Sequence, residues 1–176
     1  MTVLIIGGSK CGKSSLAESI ISRFGGKKIY LATMQPYGDD ARAIIERHKE
    51  QRKNKGFETV ERYTDIGQTP LPEDCAVLLE CIGNLCANEM FSGESISYPA
   101  EKIVKDLHRL AGRVRELVIV SVRVGSDGIT YEEGTAAYIG EIGKINSGIA
   151  AFADNVIECV FGIPVVLKGE LPCLSR

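Results

Sequence analysis

Histidine is scarce in this chain. Only His48 and His108 are present, and none of the six cysteines forms a C-x-x-C pair. Structural zinc sites are built from such clusters, so this composition argues against one. An excess of positive charge is lacking too. The 21 Lys+Arg against 23 Asp+Glu leave a formal net charge of -2, which offers no sequence-independent hold on nucleic acid. No apolar run approaches the roughly 20 residues needed to cross a bilayer. The chain opens on an apolar strand with no signal-peptide layout. Cysteines at positions 11, 75, 81, 86, 159 and 173 are therefore read as free, mostly buried thiols of a cytoplasmic protein.

What is present describes an ordinary globule. The 176 residues are 44% hydrophobic and 25% charged, enough for one domain spanning residues 1–176 with a sizeable core. Val3–Ile6 reads as a strand buried on both faces, and Ser14–Phe24 has a helical period stopped by Gly25-Gly26. Lys28–Thr33 is a second strand. Asp39-Asp40 can cap a helix to about Lys53 with Ala41, Ile44, Ile45 and His48 on one face. Phe57–Arg62, Ala76–Glu80 and Glu116–Val122 read as strands. Helical stretches run over Cys81–Met90, Ala100–Ala111 and, despite its glycines, Glu132–Ala153. Val156–Phe161 and Val165–Lys168 form terminal strands, arranged as a hairpin around Gly162-Ile163-Pro164. Strands alternating with helices predict an α/β sandwich on a largely parallel sheet.

One motif carries chemistry on its own. Gly7-Gly8-Ser9-Lys10-Cys11-Gly12-Lys13-Ser14 fits G-x-x-x-x-G-K-[ST], between a buried strand and a helix. Glycines let successive backbone N–H groups converge on an anion, and the helix aims its positive end at the same point. Lys13 can reach the β- and γ-phosphates of a nucleoside triphosphate, GTP or ATP, and the Ser14 hydroxyl can ligate Mg²⁺. Glu80 ends a strand, where ligands gather in parallel sheets. A carboxylate there either holds the metal, orients a substrate hydroxyl, or merely pairs with a lysine. The basic cluster Arg47, His48, Lys49, Arg52, Lys53 and Lys55 is either a solvated helix face or a local anion site.

Together these segments resemble the adenosylcobinamide kinase / adenosylcobinamide-phosphate guanylyltransferase family. The matching residues are the loop, Tyr30-Leu31-Ala32-Thr33, His48-Lys49-x-x-Arg52, Val60-Glu61 and Leu78-Leu79-Glu80-Cys81 with Asn88. Val124-Gly125-x-x-Gly128-Ile129 and Gly143-x-x-Asn146 match more loosely. The resemblance implies a RecA-like phosphate-loop NTPase fold, mostly parallel with an antiparallel strand near the C-terminus, and a homotrimer. It implies phosphorylation of adenosylcobinamide and then GMP transfer from GTP to adenosylcobinamide phosphate through a covalent histidine, which His48 matches. Lys13 is the other implied catalytic residue. Ala32, Thr33, Met34, Lys49, Glu50, Gln51, Arg52, Glu61 and Glu80 join the loop as nucleotide-binding positions, with Ser14 and Glu80 on the metal. Other readings are a different small-molecule phosphate-loop kinase, or a nucleotide-binding regulator without catalysis.

The chain also departs from that pattern. Ser121-Val122-Arg123-Val124-Gly125 stands where relatives show Thr-Asn-Glu-Val-Gly, Tyr138-Ile139-Gly140 where they show Phe-Arg-Asp, and Ser147 where they carry glutamine. Phosphoryl transfer needs positive charge around the moving group. The sequence therefore predicts kinase turnover slower than guanylyl transfer, unless Arg123 or Lys144 has taken over the missing charge.

Overall fold

The computed structural model describes residues 1–172, except for the side chain of Gln51. Seven strands form one sheet: β1 (Thr2–Ile6), β2 (Lys28–Ala32), β3 (Phe57–Glu61), β4 (Ala76–Glu80), β5 (Glu116–Val120), β6 (Asn155–Val160) and β7 (Ile163–Lys168). Their spatial order is β3-β2-β4-β5-β1-β6-β7, and every neighbouring pair is parallel except β6 with β7. The helices are α1 (Lys13–Ser22), α2 (Gly38–Arg52), α3 (Ile82–Phe91), α4 (Ala100–Ala111) and α5 (Glu133–Phe152). The α/β class, the parallel sheet and the C-terminal antiparallel strand agree with the sequence reading.

Strand periodicity explains the two cores. Successive side chains of a strand point to opposite faces. Leu4, Leu31, Val77, Leu79, Leu117 and Ile119 point to one face and pack with α3, α4 and α5. Val3, Ile5, Tyr30, Leu78, Val118 and Val120 point to the other and pack with α1. The inner strands are apolar on both faces because both faces are covered. The four glycines of α5 do not break it. At Gly148 the helix needs one, because an added Cβ would come within 2.6 Å of Val104 on α4.

Two local expectations need correction, and one element was not anticipated. Asp39 and Asp40 do not cap α2. The chain enters that helix through Tyr37 and a left-handed Gly38, with no side-chain cap bond. The two acids lie in the first turn, where they face the positive end of the helix dipole. The C-terminal hairpin turns at Phe161-Gly162, and Ile163 and Pro164 already pair with Val160 and Cys159. Pro164 is tolerated because β7 is an edge strand. A 3₁₀ turn at Ile66–Gln68, which carries no periodicity to read, precedes β4.

Strand order places the site. From β1 the chain passes through α1 on one face and reaches β2 on one side of β1. From β5 it passes through α5 on the other face and reaches β6 on the opposite side. A crevice opens where connections part in this way, at the carboxyl ends of β1 and β5.

Burial predicts where stability resides. Ile119 is fully buried, whereas Ile44 on α2 is only half-buried. Ile119→Ala should lower the unfolding free energy by about 2–5 kcal/mol. Ile44→Ala should cost less than about 1 kcal/mol. Urea unfolding of the two variants checks the ranking.

Candidate active site

The phosphate loop follows β1. Gly12 is left-handed, with φ 98°, and caps α1 with no side-chain hydrogen bond, so the first N–H groups of the helix lack a side-chain cap. A Cβ at Gly12 would approach Gly162 Cα at 3.3 Å as well as straining the backbone. Lys13 is buried and curls over the loop, donating from Nζ to the Gly8 carbonyl at 2.5 Å, with Cys11 Sγ at 3.8 Å. The β6–β7 turn braces the loop from outside. Gly162 N–H donates to the Cys11 carbonyl at 2.8 Å, and the Cys159 thiol donates to the same oxygen at 3.0 Å.

Glu80 ends β4 and gathers the other elements. One of its oxygens accepts from the Ser14 hydroxyl at the start of α1. The other accepts from Tyr30 on β2 at 3.1 Å and lies 3.9 Å from His48 Nδ1 on α2. Burial, reinforced by the Glu80 charge, pushes the Tyr30 phenol far above its ordinary value, so it stays a proton donor to the carboxylate. Thr33 sits beside this hub, with its hydroxyl donating to the Cys81 carbonyl at 2.8 Å and accepting from the Cys81 N–H at 2.7 Å. Asn88 on α3 donates to the Thr33 and Tyr63 carbonyls at 2.8 and 3.0 Å, which ties down the segment after β2.

Helix α2 covers the crevice rather than the core. Apart from Gln51, its side chains are exposed or half-buried, and Arg52 is the one buried exception, at 6% exposure. The Arg52 guanidinium stacks on Tyr30, 3.3 Å above the ring centroid. Its Nε and Nη1 are buried with no hydrogen-bond partner. Buried donors are seldom left unmade, so this arginine is poised for an acceptor. One cavity is lined by Tyr30, Ala32, Met34, His48, Arg52 and Glu80, with Lys49 and Glu61 at its walls. A second runs from His48 and Arg47 across Lys10, Gly12 and Lys13 to Ser14. His48 lines both, and so joins the α2 cavity to the phosphate loop.

The sequence-named positions divide accordingly. Gly7–Ser14, Ala32, Met34, His48, Arg52, Glu61 and Glu80 converge on this crevice. Lys49 is exposed and pairs with Glu46 at 3.0 Å, and Glu50 faces Lys53 at 3.5 Å. The basic cluster thus splits, with Arg52 turned in and the lysines solvated. The Gln51 side chain lies outside the described residues. Tyr30 was missed as a site residue. Its phenol looks like part of an apolar strand, and only the alignment of β2 with β4, Ala32 opposite Glu80, brings it to the carboxylate. His108 is exposed and stands edge-on to Phe152 at 5.2 Å, away from the crevice.

Ser14 and Glu80 present two hard oxygen donors side by side, a set that suits Mg²⁺ shared with phosphate oxygens and water. Among the described residues there is no cluster of three or more His, Cys, Asp or Glu side chains able to hold a metal by themselves.

A parallel sheet with a Gly-rich loop at its switch point, an uncapped helix start and a buried lysine defines a phosphate-loop nucleotide-binding protein. Comparison with known proteins narrows the class. Residues 3–167 match the family model described as cobinamide kinase / cobinamide phosphate guanyltransferase, and the chain belongs to that family. Two similar proteins are each called "Bifunctional adenosylcobalamin biosynthesis protein CobU". The one from Salmonella typhimurium is 34% identical, over 96% of this chain and all of its own length. The one from Escherichia coli is 29% identical over the same shares. A "Bifunctional adenosylcobalamin biosynthesis protein CobP" from Pseudomonas aeruginosa is 28% identical over 97% of this chain and 99% of its own. The family is one of transferases.

Thiol reactivity probes the loop. Among the described cysteines, all of them free, Cys11 is half-buried beside Lys13. Burial raises the thiols of Cys75, Cys81 and Cys159, and pushes Cys86 up to about 12. A raised value leaves less thiolate at a given pH and slows alkylation. Iodoacetamide at pH 8 should therefore modify Cys11 at least about tenfold faster than Cys86, and GTP should slow the reaction at Cys11. Peptide mapping with and without nucleotide reads both rates.

Proposed function

We propose that this chain activates cobinamide by two transfers from nucleoside triphosphates bound at one loop. In the first, GTP or ATP gives its γ-phosphoryl group to the aminopropanol hydroxyl of adenosylcobinamide. In the second, GTP gives GMP to the resulting phosphate, forming adenosylcobinamide-GDP. The observation that carries the reading is His48, held over the phosphate loop and facing the carboxylate that contacts Ser14.

The geometry supports the following roles. Lys13 and the loop N–H groups grip the triphosphate. A proton on Nδ1, the nitrogen that faces the Glu80 carboxylate at 3.9 Å, would leave the lone pair of Nε2 for attack. Nε2 attacks the α-phosphorus, a P–N bond forms, and pyrophosphate leaves with the electrons of the broken P–O bond. A phosphate oxygen of the corrinoid then attacks the same phosphorus, and the imidazole departs neutral. Arg52, with two unsatisfied N–H groups, holds oxygens of the phosphate being transferred. Glu61 and Met34 line the space beyond His48 and suit the nucleoside. Ser14 and Glu80 would hold Mg²⁺, which neutralises phosphate charge when bound.

Self-association belongs to the same reading, with a trimer implied by the resemblance. In support, β7 carries exposed Ile163, Val165, Val166 and Leu167 on an edge strand, a surface that solitary chains rarely leave open. No helix of the described residues is long and apolar enough to cross a membrane.

Incubation with GTP should add one GMP to the intact chain and release pyrophosphate. The linkage should be acid-labile and base-stable, as a phosphoramidate is. His48→Ala should carry no adduct and should lose guanylyl transfer by at least about a thousandfold. Phosphorylation of cobinamide with no adduct on the wild-type chain would make this a plain kinase. Nucleotide binding without either transfer would make it a regulator.

A further inference from the structure

Arg123 stands where the two halves of the sheet part. Three residues beyond the end of β5, its backbone N–H donates to the Gly7 carbonyl at 3.0 Å. Its guanidinium reaches Glu158 on β6, with Nη1 2.6 Å from Oε1. Because β1 lies between β5 and β6, this side chain crosses the end of β1 where the phosphate loop begins. Gly8, Ser9 and Lys10 of the loop line the same cleft as Arg123, Glu158 and Ser126. The guanidinium side chain is 56% exposed while Glu158 is 19% exposed, so the acid is the anchored partner and the arginine is open to a ligand.

The γ-phosphoryl group needs more positive charge than one lysine supplies. The sequence offers Arg123 or Lys144 for this task, and the fold separates them. Lys144 pairs with Glu141 at 2.8 Å and lines a different cleft with Ala100, Glu101 and His108. Arg47 and the Arg52 of the α2 cavity belong to the His48 side, and Lys10, a loop residue, lines both clefts. Arg123 alone of the two candidates reaches the loop, and it does so from the opposite side.

We propose that Arg123 binds the γ-phosphate of the donor nucleotide and stabilises its transfer, with Glu158 as the positioning residue that keeps the guanidinium across the mouth of the loop. An arginine has five N–H donors in a fixed fork, so one edge stays on Glu158 while the other meets phosphate oxygens. In the transfer, the bond from the γ-phosphorus to the leaving diphosphate breaks as a bond to the substrate hydroxyl oxygen forms, and the hydroxyl proton passes to solvent. The negative charge spread over the γ-oxygens is what Arg123 meets. The inference rests on the two-transfer reading above and supplies the charge that residues 121–147 otherwise lack.

The test compares Arg123→Gln, Arg123→Lys and Glu158→Gln with the wild-type chain, after circular dichroism and thermal melting show that each variant is folded. Arg123→Gln should lower kcat for cobinamide phosphorylation by about a hundredfold or more, with a much smaller change in KM for cobinamide. Guanylylation of His48 should fall at least ten times less. Arg123→Lys should recover part of the loss. Glu158→Gln, which keeps the guanidinium, should retain kinase turnover within about tenfold of wild type. Calorimetry adds a readout without turnover. The wild-type chain should prefer a non-hydrolysable triphosphate to the diphosphate, and Arg123→Gln should lose most of that preference. A purely structural ion pair would make Arg123→Gln and Glu158→Gln alike, and that result would overturn the proposal. Wild-type kcat in Arg123→Gln would overturn it too, while leaving the two-transfer reading standing. A wild-type chain with no kinase turnover would overturn both.

Discussion

The contact between the Ser14 hydroxyl and the Glu80 carboxylate is the joint on which the site depends. It links the start of α1, where the phosphate loop ends, to the carboxyl end of β4, two strands away from β1. The second oxygen of Glu80 brings in Tyr30 by a hydrogen bond and faces His48. A carboxylate so enclosed is stable only with its acceptor sites occupied, and the neighbours supply donors. Tyr30 in turn is the platform for Arg52. Loop, strand and covering helix are therefore coupled through one half-buried acid, and moving Glu80 would disturb the Ser14 contact and the histidine together.

Parts of this arrangement were legible in the sequence because their causes are local. The loop is a contiguous pattern whose glycines and lysine have fixed jobs, and apolar runs such as Val3–Ile6 and Ala76–Leu79 could hardly be anything but buried strands. Glu80 was visible as a strand-end acid and was grouped with Ser14 by resemblance, although its contact with Tyr30 was not. The caps of α2 were misread because Asp39 and Asp40 are good caps by residue type. The backbone instead turns at Gly38, one residue earlier, a choice that side-chain identity does not encode. The hairpin was placed too late because Pro164 suggested a turn, whereas an edge strand has no ladder bond for it to break.

The rest depends on register and strand order. Tyr30 reads as core and becomes a site residue only because β2 aligns with β4. Arg52 was named as a nucleotide-binding position by resemblance, but nothing in the sequence shows that it stacks on Tyr30 with Nε and Nη1 buried and unmatched. Arg123 and Lys144 were equivalent in sequence, and the path of β5 past the loop distinguishes them. In each case the deciding fact is a long-range neighbour, which local pattern does not contain.

In the proposed function both chemistries share one grip on the triphosphate; α2 and His48 lie on one side of the loop and β5 and β6 on the other. The central claim is that a single loop serves two transfers. Lys13→Ala tests it most directly, because no other described cation is curled into the loop. With GTP and cobinamide, and separately with GTP and cobinamide phosphate, both rates should fall together by at least about a hundredfold, while the fold and thermal transition persist. A variant that loses one transfer and keeps the other at its wild-type rate would contradict the account.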